Sequence, residues 1–158
     1  MAGLFPEKYK IVNGTPVVTT NTAVTGDYIS VKNAKRVVII AELLQAASHA
    51  TALGYNVATA VAPTGAAAGT AVMPVWKNAD IATSDTLVKG DDAATIAATA
   101  GTTNQQLVME ILPERLPAGY DCIAATLTAS SQATNFATIT YLIETKYPQA
   151  TPPAAITD

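Results

Sequence analysis

The sequence predicts an all-β protein, an antiparallel β-sandwich of jelly-roll-like kind with extended N- and C-terminal arms. Three observations predict it. Eight or more short runs of β-branched and aromatic residues recur at roughly regular spacing. Gly, Pro and Asn signals punctuate them. Both ends carry Pro and lack a strand pattern. The chain divides into an N-terminal arm over residues 1–8, a β-sandwich domain over 9–147 and a C-terminal arm over 148–158.

Taken in order, Phe5-Pro6 reads as a docking peg, an aromatic held beside a rigid residue. Tyr9 to Val12 alternates as a strand does, and Asn13-Gly14 is a strong turn signal before a second run, Thr15 to Thr20. Asp27 to Val31 sets Tyr28 and Ser30 on one face and Ile29 and Val31 on the other. The four β-branched residues Val37 to Ile40 favour a strand buried on both faces. Ala41 to Leu53 is rich in helix formers, so a short helix competes there with a strand, a loop near Ser48-His49 and a second strand from Thr51 to Val61. No capping residue starts such a helix, which favours the strand reading.

Ala62 to Thr70 is a loop by composition. Ala71 to Lys77 is apolar, with Pro74 predicting a bulge or an edge. Short runs at Thr86 to Val88 and Thr95-Ile96 flank a turn at Lys89 to Asp92. Gln106 to Leu112, Tyr120 to Thr128 and Ala137 to Thr145 complete the series. In the last, Ile139, Tyr141 and Ile143 oppose Thr138, Thr140 and Leu142. The segment from Pro148 to Pro153 cannot join a sheet.

Composition narrows the function. The 158 residues carry a net charge of −3, and 13% are charged, about half the usual ~25%. Ala accounts for 31 residues and Thr for 23. The larger apolar residues suffice for one core, since a chain this long buries roughly 70% of its unfolded surface. Seven Lys and two Arg form no basic cluster, so no nucleic-acid partner is expected. No apolar run reaches the roughly 18 to 20 residues of a membrane span, and Met1 to Pro6 lacks the pattern of a secretory signal. One Cys and one His allow neither an internal disulfide nor a Cys/His zinc site. The chain thus reads as made in the cytosol, reduced, and free of metal and cofactor.

Little in the sequence speaks for catalysis, and no enzyme is expected. His49 has no carboxylate or Cys near it to orient it as a base. Cys122 alternates with Ile123, so one of the two faces inward, and it reads as a small buried thiol. Asp80, Asp85, Asp91 and Asp92 lack the alternating oxygen ligands of a calcium loop and read as a solvated turn. Glu110, Glu114 and Arg115 read as a rim ion pair. Gly65 to Gly69 is followed by no Lys-Ser/Thr and is no phosphate loop. Trp76, beside Met73 and Val75, reads first as a core residue and second as a platform for a partner or a sugar.

One resemblance enters here. Tyr9-Lys10-Ile11-Val12, Asp27-Tyr28-Ile29 and Arg36 to Ile40 resemble the start of small head proteins of tailed bacteriophages. Tyr55 to Ala60, Thr86-Leu87 and Gln106 to Ile111 follow in a similar order, as do Leu116 to Tyr120, Ala137 to Ile143 and Tyr147-Pro148. The pattern covers about residues 5 to 148 and resembles the capsid cement, or decoration, proteins. The resemblance implies a virion protein on the outer capsid surface, synthesised in the cytoplasm of the host bacterium. Its partner would be a major capsid protein of HK97-like fold, and it would act as a dimer or trimer that cements neighbouring subunits. It carries over no catalytic residue. Phe5, Tyr9 and Tyr147 are the expected anchors, with Trp76 a further candidate contact. The rival readings are a carbohydrate-binding β-sandwich and another tail or head-completion part of a virion.

Overall fold

The computed structural model describes residues 4–156. Residues 1–3 and 157–158 of the expected arms lie outside them. The elements run α1 (Phe5–Lys8), β1 (Tyr9–Thr19), β2 (Val24–Thr25), β3 (Ile29–Ser30), β4 (Ala34–Leu44), β5 (Ala52–Ala58), β6 (Ala67–Ala68), β7 (Val75–Asn78), β8 (Val88–Lys89), β9 (Ile96–Ala97), β10 (Gln105–Ile111), β11 (Cys122–Leu127) and β12 (Phe136–Thr145). A single 3₁₀ turn, Pro113–Arg115, joins β10 to β11.

All pairings are antiparallel and build two six-stranded sheets. The first has the order β1-β12-β4-β10-β7-β8, and the second β2-β11-β5-β6, with β3 on β11 and β9 on β5. The chain crosses between sheets at β1 to β2, β3 to β4, β4 to β5, β6 to β7, β8 to β9, β9 to β10, β10 to β11 and β11 to β12. That is the winding of a jelly roll, in which the long strands of one sheet face their sequence neighbours in the other.

Alternation explains the core. Ile139, Tyr141 and Ile143 of β12 point inward, as do Val37, Ile39, Ala41 and Leu43 of β4 and Leu107, Met109 and Ile111 of β10. The second sheet answers with Leu53, Tyr55, Val57, Ile123, Ala125 and Leu127. Ile29 and Val31 are buried and Tyr28 and Ser30 half-buried, as their alternation predicts. Residues 41–53 form strand, loop and strand, because Ala41 and Leu43 continue the period-two burial of β4. The competing helix does not form.

Four local expectations are corrected. Val37 to Ile40 is not buried on both faces: Val38 and Ile40 lie half-buried on the outer side, where no further layer among the described residues covers the sheet. Asn13-Gly14 does not turn the chain. It makes a bulge within one continuous β1, since the pairing with β12 shifts register between Asn13 and Thr15. A Cβ on Gly14 would lie 2.6 Å from the Tyr141 ring, so glycine there serves close packing. Cys122 is the buried thiol the sequence predicts, and of the pair Ile123 is the one in the core cluster, on the opposite side of β11. Phe5–Lys8 is a helical turn rather than an extended arm. Pro6 suits the first turn, and the Leu4 N–H donates to the Glu7 carboxylate at 2.8 Å. Residues 148–156 stay out of the sheets, as their prolines dictate, but fold back onto the sandwich and bury Ala155 to 7% exposure.

Candidate partner interface

Three of the four sequence-selected residues converge at one corner of the sandwich. Tyr9 opens β1 and pairs with Glu144 near the end of β12, so the chain enters and leaves the first sheet side by side. The Phe5 ring stacks on Tyr9 with centroids 5.1 Å apart and planes 24° from parallel. The Thr145 hydroxyl lies 3.1 Å from the Lys8 carbonyl and 3.2 Å from that of Tyr147, within donating reach of both segments. The Gln149 N–H donates to the Glu7 carbonyl at 3.0 Å. Leu4 is 72% exposed, Phe5 52% and Tyr147 70%. Apolar and aromatic surface of this kind, held on hydrogen-bonded backbone, suits an anchor because little backbone freedom is left to lose on docking. Leu4 carries no signal in the sequence beyond its place beside Phe5.

Trp76 lies elsewhere. It belongs to β7, four strand spacings from β1, or roughly 19 Å at the usual interstrand distance. It is not a core residue. Val75 takes the inward position, and Trp76 faces out beside its cross-strand partner Val108. There it covers Val108, which is nearly buried on an otherwise open face. With Val38, Leu87 and Glu110 it lines a shallow apolar groove, and the Lys89 ammonium sits 5.8 Å from its ring centroid.

Charges brace the area between these two features. Arg36 reaches Glu110 at 3.0 Å and also bonds Glu144, which Lys35 meets at 3.1 Å. The bonds to Glu110 and Glu144 raise the Arg36 pKa. Burial works against the Glu144 charge, but its hydrogen bonds from Lys35 and Arg36 prevail and hold its carboxyl below the usual value. Glu110 and Arg115 do not pair with each other. Arg115 instead bonds Asp92 at 3.0 Å, beside Lys89 at 3.1 Å, and the Arg115 bond, with that of Lys89, lowers the Asp92 pKa. Asp80 binds its own turn, accepting from the Ala82 N–H and the Thr83 hydroxyl. His49 sits in a loop where its carbonyl accepts from the Gln45 amide at 2.6 Å. Among the described residues no group of three or more His, Cys, Asp or Glu is arranged to hold a metal ion.

No protein-family model matches the chain, and no curated protein matches it. Among solved structures it is similar to the SPBc2 prophage-derived protein YomS. The two are 10% identical, the match covers 85% of this chain and 91% of that one, and the TM-score is 0.47.

Proposed function

We propose that the protein is a structural component of a bacteriophage virion that binds the outer surface of the capsid and cements neighbouring major capsid protein subunits of HK97-like fold. The observation that carries the reading is the corner where residues 4–9 and 145–149 bring Leu4, Phe5, Tyr9 and Tyr147 together. The resemblance of the sequence to cement proteins suggests the kind of partner. Exposed aromatics are favoured anchors at interfaces, where a few residues carry most of the affinity. Each corner would bind modestly, and a dimer or trimer on a repeating shell would gain avidity of about 10²- to 10⁴-fold from engaging several sites at once.

Co-sedimentation with mature, undecorated phage heads tests this, with unexpanded proheads alongside. Saturable binding to mature heads at a fixed copy number per capsomer is the expected result. No binding to either shell would remove the cement reading.

A second reading has one observation in its favour. Trp76 is presented on an outer sheet face with a groove beside it, as a carbohydrate platform requires. Glycan binding abolished by Trp76→Ala, in a protein that ignores phage heads, would select it. A role in a tail or in head completion is distinguished from both by ring-forming oligomers.

A further inference from the structure

The tail after β12 occupies a slot at the end of the sandwich. The Ser30 N–H donates to the Ala155 carbonyl at 2.6 Å, and the Lys10 ammonium donates to the Pro153 carbonyl at 2.8 Å. The Ala155 methyl joins the core cluster. Lys10, Ser30, Ala34 and Ile143 form the slot's walls, and a cavity of about 30 Å³ remains between them and the tail. That is room for about one water molecule, so the occupant does not fill its site.

We propose that this slot is a peptide-binding site that takes residues 148–156 of a second copy of the chain as well as its own. The slot reads its occupant through two backbone carbonyls and one small side chain, and outside it the Gln149 N–H adds one bond to the Glu7 carbonyl. Those contacts are the same whichever copy supplies them. The latch is slight, because Pro152, Pro153 and Ala154 contribute no buried side chain and Ile156 is exposed. The tether suits exchange. Tyr147 and Pro148 are exposed, and Pro148 stops β12 from continuing. An extended segment of this length spans up to roughly 30 Å, enough to reach an adjacent molecule. Exchange of an identical element is a low-cost route to oligomers. In dilute solution the chain's own tail holds the slot through an effective concentration of millimolar order, so exchange is favoured where copies crowd together.

The test needs no capsid, so its outcome is independent of shell binding. A labelled peptide of residues 148–156 is titrated into the full chain and into full-chain Ala155→Arg, whose own tail cannot seat its side chain. The peptide is expected to bind the variant at least tenfold more tightly than the parent. The same peptide carrying A155R should bind neither. Equal binding to both chains, or none, overturns the proposal. Should the variant not fold, full-chain Ala155→Gly, whose tail loses only the methyl that the slot seats, replaces it. Tighter binding of the peptide to this variant than to the parent supports the proposal, and equal binding overturns it.

Discussion

The Tyr141 hydroxyl, carried by β12 of the first sheet, accepts the N–H of Ala125 in β11 of the second sheet at 2.8 Å. It donates to the Asp27 carbonyl at 3.0 Å and so fixes the chain between β2 and β3 as well. Gly14 lies against the Tyr141 ring and Gly26 against its hydroxyl. One phenol thus stitches three segments, and burial holds its proton on well above the ordinary tyrosine range. Tyr141→Phe removes the hydroxyl and leaves a buried N–H without that acceptor. We expect a loss of about 1–3 kcal/mol in urea unfolding with an unchanged slope. A change under 0.5 kcal/mol would show that the stitch is not structural.

Gly69 and Gly101 should respond oppositely to alanine. A Cβ on Gly69 would lie 2.1 Å from the Tyr55 ring, whose hydroxyl is fixed to the Ala71 carbonyl at 2.8 Å. Tyr55 is buried in the core and cannot swing away. Gly69→Ala is expected to cost about 1–3 kcal/mol through overpacking. Gly101 meets only the Thr103 hydroxyl, at 4.0 Å, so Gly101→Ala should be neutral or slightly stabilising. Thermal unfolding of the two variants side by side checks the contrast.

The double variant Phe5→Ala/Tyr147→Ala separates docking from folding. Both rings are exposed, so stability should move by no more than about 0.5 kcal/mol. Binding to mature heads should fall at least tenfold, as expected of aromatic anchors worth about 2 kcal/mol or more. Trp76→Ala, on the far side of the sheet, should leave head binding intact. The reverse pattern in co-sedimentation would relocate the interface to the Trp76 groove.

Acid should weaken the outer face of the first sheet. The Glu144 carboxyl titrates below its ordinary value because Lys35 and Arg36 bond its charged form. Its contribution is therefore complete above the unfolded-state pKa and is lost as pH falls through the lower folded-state value. The group is partly solvated, so the expected contribution is at most about 1 kcal/mol. Stability measured from pH 7 down to pH 3 should fall less steeply in Glu144→Gln than in the parent. Parallel curves would show that the pair contributes nothing.

Much of the sandwich is legible in the sequence wherever one face of a strand is buried. Ile139, Tyr141 and Ile143 alternate because the first sheet has an inside and an outside, and a period of two records that directly. Local signals mislead where a distant residue overrides them. Asn13-Gly14 carries turn chemistry, yet the Tyr141 ring claims the space over Gly14 and the strand runs on through a bulge. The prolines of the tail announce that it cannot be a strand. They say nothing of the Ser30 N–H that captures it, because that partner lies far away in the chain. Trp76 was half-readable, since only one of Val75 and Trp76 can face inward. The meeting of Phe5 and Tyr147 depends on the pairing of β1 with β12, which no window of sequence contains.

The winding of the first sheet has a consequence for the order in which the protein is made. β4 is complete by Leu44, but its two partners, β10 and β12, begin at Gln105 and Phe136. β1 waits longer still, since it pairs only with β12. A nascent chain therefore carries Val37 to Ile40 unpaired through most of synthesis, and within the first hundred residues that sheet can form only its β7–β8 edge pair. Assembly of the first sheet therefore waits for β12 and is of high contact order, expected in the millisecond-to-second range. Until the last strand forms, the apolar run of β4 is an unpaired edge open to wrong partners.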